Sequence, residues 1–470
     1  MKNIFTFLFF AATTLTCAQE MVFKKGIVMD SVQVMESLPK DSIRETFALY
    51  LPKDFEASKT WPVIFLLDNK ARGRQLLRFF HSAAERQGYI LAASNNLSDT
   101  LSTANTLLMA NRMFNRVISL FPIDANRIYT AGIENGGRLA SIFPVFLDNI
   151  EGVVSLGGTL ANSEVLGSRK PFHYIGIADK NDFNYITMLS DERILNTLKF
   201  QNQLLPLVKE EVSYGVDDME RAMEILTLAA MAKGKVPEDK SFVEKTLKKR
   251  VSEIDALIGS GKLLEAEILL EEVQTLYRLH TNVDALREKQ KALRKEKMFK
   301  TQKRNENNAL YKESLIKQDY GYYMEEDLLS YNYSNLGWWK YQMEELGKFG
   351  KSADLREQQM GNRLSGFVNA LIDDNINIIM SESPQDIEAL LFLWMLKTIT
   401  APEEASNYLK VISYSSMIED YGTSLFYLEE LLKKGYKDKA ALYSLEHTAL
   451  LRIAPEFNKV VDKYLKEARY

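Results

Sequence analysis

Cysteine is nearly missing from this 470-residue chain, where Cys17 stands alone. It sits in a stretch that reads as a processing segment, and cleavage after Ala18 leaves a mature chain with no thiol. Disulfides, thiol catalysis and thiolate metal sites are then excluded, and the fold must rest on an apolar core. Histidine is almost as scarce: His81, His173, His280 and His447 are scattered along the chain. Four isolated imidazoles and no thiolate leave a zinc site without ligands, so no metal and no cofactor are expected. Asp217-Asp218 and Glu325-Glu326-Asp327 lack calcium-loop spacing and read as helix caps or solvated faces. Charge of one sign is also missing. With 59 Lys+Arg against 63 Asp+Glu, there is no electrostatic case for nucleic acid. The phosphate-cradling run Gly-x-x-x-x-Gly-Lys-Ser/Thr does not occur. Beyond the N-terminus no segment is apolar over the roughly 20 residues a bilayer demands.

What is there begins with Lys2, the apolar run Ile4 to Ala12, and Thr16-Cys17-Ala18 ahead of Gln19. Residues 1–18 are read as an export signal, which places the protein in the periplasm, in the outer envelope or outside the cell. Lipidation of Cys17 is disfavoured, because Thr14-Leu15-Thr16 lacks the small residue usual just before an acylated cysteine.

From 20 to 235, β-rich runs alternate with helical patterns. Strands are expected at 45–51, 62–67, 89–94, 127–131, 152–156 and 172–177, and helices at 73–87, 102–120 and from about Arg138. That alternation argues for a doubly wound, mostly parallel sheet. After about residue 217 the pattern turns helical. One helix is expected at 217–233, and a helical hairpin at 242–258 and 263–277 turns at Gly259-Ser260-Gly261. Segment 281–304, with nine Lys/Arg against three Asp/Glu, reads as a solvated helix or linker, the alternative being contact with an acidic partner or lipid. Residues 236–304 are thus a hairpin and linker. Residues 305–470 are stacked helices with Trp338, Trp339 and Trp394 in their core.

The chemistry should lie at Arg127-Ile128-Tyr129-Thr130-Ala131-Gly132-Ile133-Glu134-Asn135-Gly136-Gly137-Arg138. A strand entering a glycine-bracketed turn and then a helix is the frame of a nucleophile elbow, G-x-S-x-G. Gly132 and Gly136 keep that frame, but Glu134 stands where serine belongs.

Here the chain resembles the α/β-hydrolase superfamily, in its esterase- and depolymerase-like branch. Phe65-Leu66-Leu67-Asp68 with Ala71-Arg72-Gly73 resembles the third core strand and oxyanion loop, and Tyr89 to Asn96 resembles the following strand. Gly176-Ile177-Ala178-Asp179 resembles the loop of the catalytic acid, with Asp182 as a nearby substitute. The resemblance implies a hydrolase fold whose chemistry has lapsed. The family mechanism needs a hydroxyl, an imidazole and an acid, yet no histidine lies between 173 and 280, where the base belongs. His173 falls inside a strand and reads as structural.

Glu134, Asn135, Gly132 and Gly136 are therefore read as a vestigial elbow and Asp179 as a vestigial acid. Asp68, Arg72, Asn95, Asn96, Arg138 and Asp182 are candidate pocket residues. Glu134 is expected to plug the old anion site on the elbow amides, with Arg72 or Arg138 as ion-pair partner. The segment from Phe426 through Gly435-Tyr436 to Pro455-Glu456-Phe457 resembles the closing unit of tetratricopeptide repeats. Together these readings describe an exported, non-catalytic scaffold whose helical region meets protein partners. The alternatives are a hydrolase with a rearranged site, using Ser155 or a carboxylate, and a glycan- or lipid-binding module in the old pocket.

Overall fold

The computed structural model describes residues 27–37, 44–166, 171–207, 214–466 and 468. The expected export signal and Cys17 lie outside them. Two compact units are present: Met1–Thr130 with Asn149–Glu151, and Ala131–Asp148 with Gly152–Tyr470.

The first unit carries β1 (Val32–Glu36), β2 (Thr46–Tyr50), β3 (Trp61–Leu67), α1 (Gly73–Gln87), β4 (Ile90–Ser94), α2 (Thr103–Leu120) and most of β5 (Ile123–Ile133). β3 and β4 are buried along almost their whole length, the mark of parallel strands covered on both faces. Phe65 of β3 stacks on Phe114 of α2 at 4.0 Å. α2 starts where the Ser102 hydroxyl accepts the Asn105 N–H. α1 ends at Gly88 in the left-handed conformation, with φ 67°.

The second unit continues with α3 (Asn135–Ala140), α4 (Phe143–Phe146), β6 (Gly152–Leu156), β7 (His173–Asp179), α5 (Tyr185–Thr197) and β8 (Asn202–Leu207). Helices α6 (Val216–Ala232), α7 (Lys240–Gly259), α8 (Leu263–Tyr277) and α9 (Asp284–Lys295) follow. The 34-residue α10 (Lys297–Ser330) runs straight across the 304/305 boundary read from the sequence. After it come α11 (Leu336–Phe349), α12 (Leu355–Ser381), α13 (Ile387–Thr400), α14 (Ala405–Met417), α15 (Tyr421–Lys433), α16 (Lys439–Ser444), α17 (Ala449–Ile453) and α18 (Pro455–Leu465). Trp339 is fully buried in the α10–α13 core, while Trp338 and Trp394 are partly buried against it. The terminal helices close around Tyr408, Leu428, Leu442 and Phe457.

The strands form one eight-stranded sheet in the order β1-β2-β4-β3-β5-β6-β7-β8. β2 runs antiparallel to both β1 and β4, whereas β3/β4, β6/β7 and β7/β8 are parallel. Edge strand β8 escaped the sequence reading. It is short, and Pro206 interrupts its pattern, which an edge position tolerates because no partner needs that N–H.

The basic segment resolves into partners of its own chain. Lys289 pairs with Asp255, and Arg294 with Glu267 and Glu271. No described helix is long and apolar enough to cross a membrane.

Candidate functional site

Glu134 sits between β5 and α3 at φ 51°, ψ −119°. That is a costly conformation for a residue with a Cβ, so the surroundings must enforce it. They do so through backbone contact. A Cβ on Gly132 would lie 2.2 Å from the Gly136 carbonyl carbon, and one on Gly158 would lie 2.3 Å from the Glu134 oxygen. The Glu134 N–H donates to the Leu156 carbonyl at 2.7 Å, and its own carbonyl accepts the Arg138 N–H at 3.0 Å. Gly132→Ala is accordingly expected to lose about 1–3 kcal/mol by overpacking, read as a lower urea midpoint.

The structure corrects the expected seat of the side chain. Glu134 is exposed, and the hydrogen bonds found at this residue are those of its backbone. Arg138 is exposed too and reaches the Ala161 carbonyl at 3.4 Å. Arg72 forks onto Asp68, with Nε to Oδ2 at 3.1 Å and Nη2 to Oδ1 at 3.0 Å. The reason is geometric. The Glu134 N–H is itself taken by the Leu156 carbonyl, and each arginine reaches an oxygen of its own neighbourhood.

The acid segment is built differently. Asp179 ends β7 at 1% exposure, and its Oδ1 accepts both the backbone and side-chain N–H of Asn181, at 2.8 and 2.9 Å. Its buried Oδ2 has no hydrogen-bond partner. Asp182 is buried as well, taking the Asn184 N–H at 2.8 Å on Oδ1 and the Tyr214 hydroxyl at 3.1 Å on Oδ2. Burial raises the Asp182 pKa, and the charges of Glu134 and Asp179 add to the rise, while its two hydrogen bonds oppose it. Burial and the Asp182 charge also push Tyr214 upward, so its phenol stays a donor.

Tyr214 is the residue that sequence reasoning missed. It follows β8 and precedes α6, within the stretch between 173 and 280 that holds no histidine, and a tyrosine there gives no signal on its own. Asn135 is exposed at the first turn of α3, and Gly136 is buried in it. His173 lies in β7 against Gln203, and burial lowers its pKa to about 4. Ser155 is fully buried and donates to the Gly158 carbonyl at 2.6 Å.

The remaining candidates belong to the first unit and are tied up locally. Asp68 accepts the Arg72 N–H at 3.0 Å, besides the fork. Asn95 accepts the Arg74 N–H at 2.9 Å, and Asn96 accepts the Thr46 N–H at 2.7 Å. Each stitches a loop to a neighbouring element.

The acid segment is also gripped by helices. The Lys180 ammonium meets Glu265 of α8 at 2.9 Å, Arg363 of α12 donates to the Lys180 carbonyl, and Asn362 donates to Asn181 at 3.0 Å. Lys180 and Leu207, with Arg221, Leu257, Leu264 and Arg356, line a cavity of about 610 Å³. Among the described residues, no group of three or more His, Cys, Asp and Glu is placed to hold a metal.

A strand order of 1-2-4-3-5-6-7-8 with the second strand reversed, and a positive-φ bend after the fifth, decides the architecture. The fold is that of an α/β hydrolase. Neither a family model nor a curated protein matches the chain. Among solved structures it is similar to a Bacteroides ovatus protein described as a dipeptidyl aminopeptidase IV. Identity is 16%, coverage is 43% of this chain and 36% of that one, and the TM-score is 0.33. Thermogutta terrifontis esterase 2, in a form phosphorylated by paraoxon, is 11% identical over 46% of this chain and 99% of its own, at a TM-score of 0.36. The S-formylglutathione hydrolase of Staphylococcus aureus is 14% identical over 42% and 98%, at 0.33. At such scores the likeness carries no argument of its own. The hydrolase fold rests on strand order and connectivity.

Proposed function

We propose that this chain is an exported, non-catalytic member of the hydrolase fold, whose helical half, closing in a tetratricopeptide-like unit, binds protein partners in the cell envelope. One observation carries the reading: the strained bend presents a carboxylate, and Tyr214, rather than an imidazole, holds the acid Asp182. A carboxylate at the bend, whose charge is felt at Asp182, repels the oxyanion that acyl transfer must stabilise. The phenol is a poor base while its pKa is raised. The bend survives as architecture, and the helices that grip the acid segment tie it to an extended surface suited to partners.

The test has two arms. The wild-type protein should turn over no member of an ester panel and take no fluorophosphonate label, and affinity capture under native conditions should bring down an envelope protein. Glu134→Ser alone should remain unlabelled, because nothing takes the hydroxyl proton. Adding Tyr214→His supplies an imidazole beside Asp182, and labelling should then rise at least about tenfold over wild type. Turnover by wild type or by the single variant would contradict the proposal.

A further inference from the structure

α10 carries an unpartnered face that runs its full length. At 100° per residue, Tyr311, Leu315, Tyr322 and Leu329 fall within about 40° of one another, and they are 68%, 46%, 58% and 75% exposed. Two of the three intervals are seven residues, the spacing that pairs helices along a seam. Lys297, Lys300 and Arg304 lie on the same face toward the N-terminus, and Glu325 and Glu326 flank it toward the C-terminus, all exposed.

This charge order is the reverse of what a lone helix favours, because the macrodipole prefers anions at the N-terminus and cations at the C-terminus. Helix stability therefore does not account for it. A partner helix of the same sequence running the other way does. Antiparallel copies cancel each other's dipoles and set each basic end against an acidic end.

We infer that α10 is the self-association surface of this protein, pairing with α10 of a second copy about a twofold axis. The register that sets the opposite charges together puts Lys300 against the partner copy's Glu326 and Tyr311 against its Leu315 at the centre, with the Lys297 stem along its Leu329. In that register Arg304 lies over the partner copy's Tyr322 ring, a cation–π contact. The axis passes beside Glu313, which points inward, so the contact is isologous and closes at two copies.

The test is sedimentation velocity with light scattering on the purified chain, from about 1 to about 100 µM. A dimer is expected, weakened by added salt. Leu315→Glu should raise its dissociation constant at least about tenfold, with thermal unfolding unchanged at concentrations where wild type is monomeric, because the residue is exposed. Tyr322→Glu is the second variant should Leu315→Glu alter unfolding. Lys300→Glu and Glu326→Lys should each weaken the dimer, and their combination should restore it to within about threefold. A monomer at every concentration overturns the inference. So does a dimer indifferent to both seam variants, or a double reversal that restores nothing.

Discussion

Arg363→Met should lower the unfolding free energy by about 3–5 kcal/mol, the cost of orphaning a buried charge. Arg363 is 3% exposed and its partner Glu313 is 1% exposed. The guanidinium gives Glu313 Oε2 two bonds, at 2.9 and 2.6 Å, and donates a third to the Lys180 carbonyl. Lys317 lies 3.0 Å from the other Glu313 oxygen, so the carboxylate keeps one cation after the change. That remaining pair moves the expectation toward the lower end of the range. Methionine fills much of the arginine stem, which confines the effect to charge and hydrogen bonding. Removing both partners, in Arg363→Met with Glu313→Leu, should recover most of the loss, since an apolar pair leaves no carboxylate stranded. Urea unfolding of the single and double variants checks this. Equal losses in both would mean that the pair is not the source.

The second large effect belongs to His173. Burial lowers its pKa from 6.5 to about 4, the Lys233 charge adds to the drop, and the Gln203 hydrogen bond opposes it. Between those values the unfolded chain binds a proton that the folded chain refuses. Stability from this residue is therefore whole above pH 6.5 and lost on acidification, amounting to about 3 kcal/mol by pH 4. Asp182, whose pKa is raised, works in the opposite sense: the folded state binds its proton more readily, so acidification favours folding at that residue. His173→Gln keeps a donor for Gln203 and cannot titrate. The variant's urea midpoint should fall less than wild type's between pH 7 and pH 4.5. An identical slope in the two proteins would show that His173 is not the acid-sensitive group.

Much of the fold is legible in the chain. Pro62 to Leu67 is unbroken apolar sequence because both faces of β3 are covered, and α8 falls on Leu263–Tyr277 because its apolar residues recur at helical spacing. β1 is short and half exposed, so its pattern is faint. α5 scatters its apolar residues around the helix and showed no stripe. At the site, the glycines around residue 134 are readable because only they fit where backbones touch. The direction of the Glu134 side chain is not, since it depends on contacts across the bend that no local pattern encodes. The partnership of Tyr214 with Asp182 joins residues 32 apart and follows from no local pattern.

The twist at position 134 is imposed by its neighbours and owes nothing to the atoms mounted on it. Side-chain chemistry and mounting are thus set separately. Exchanging the side chain at 134 leaves the bracket standing, because dismantling it would require several interlocked main-chain segments to move at once. A platform of this kind stays open to new hardware, whichever group occupies it now.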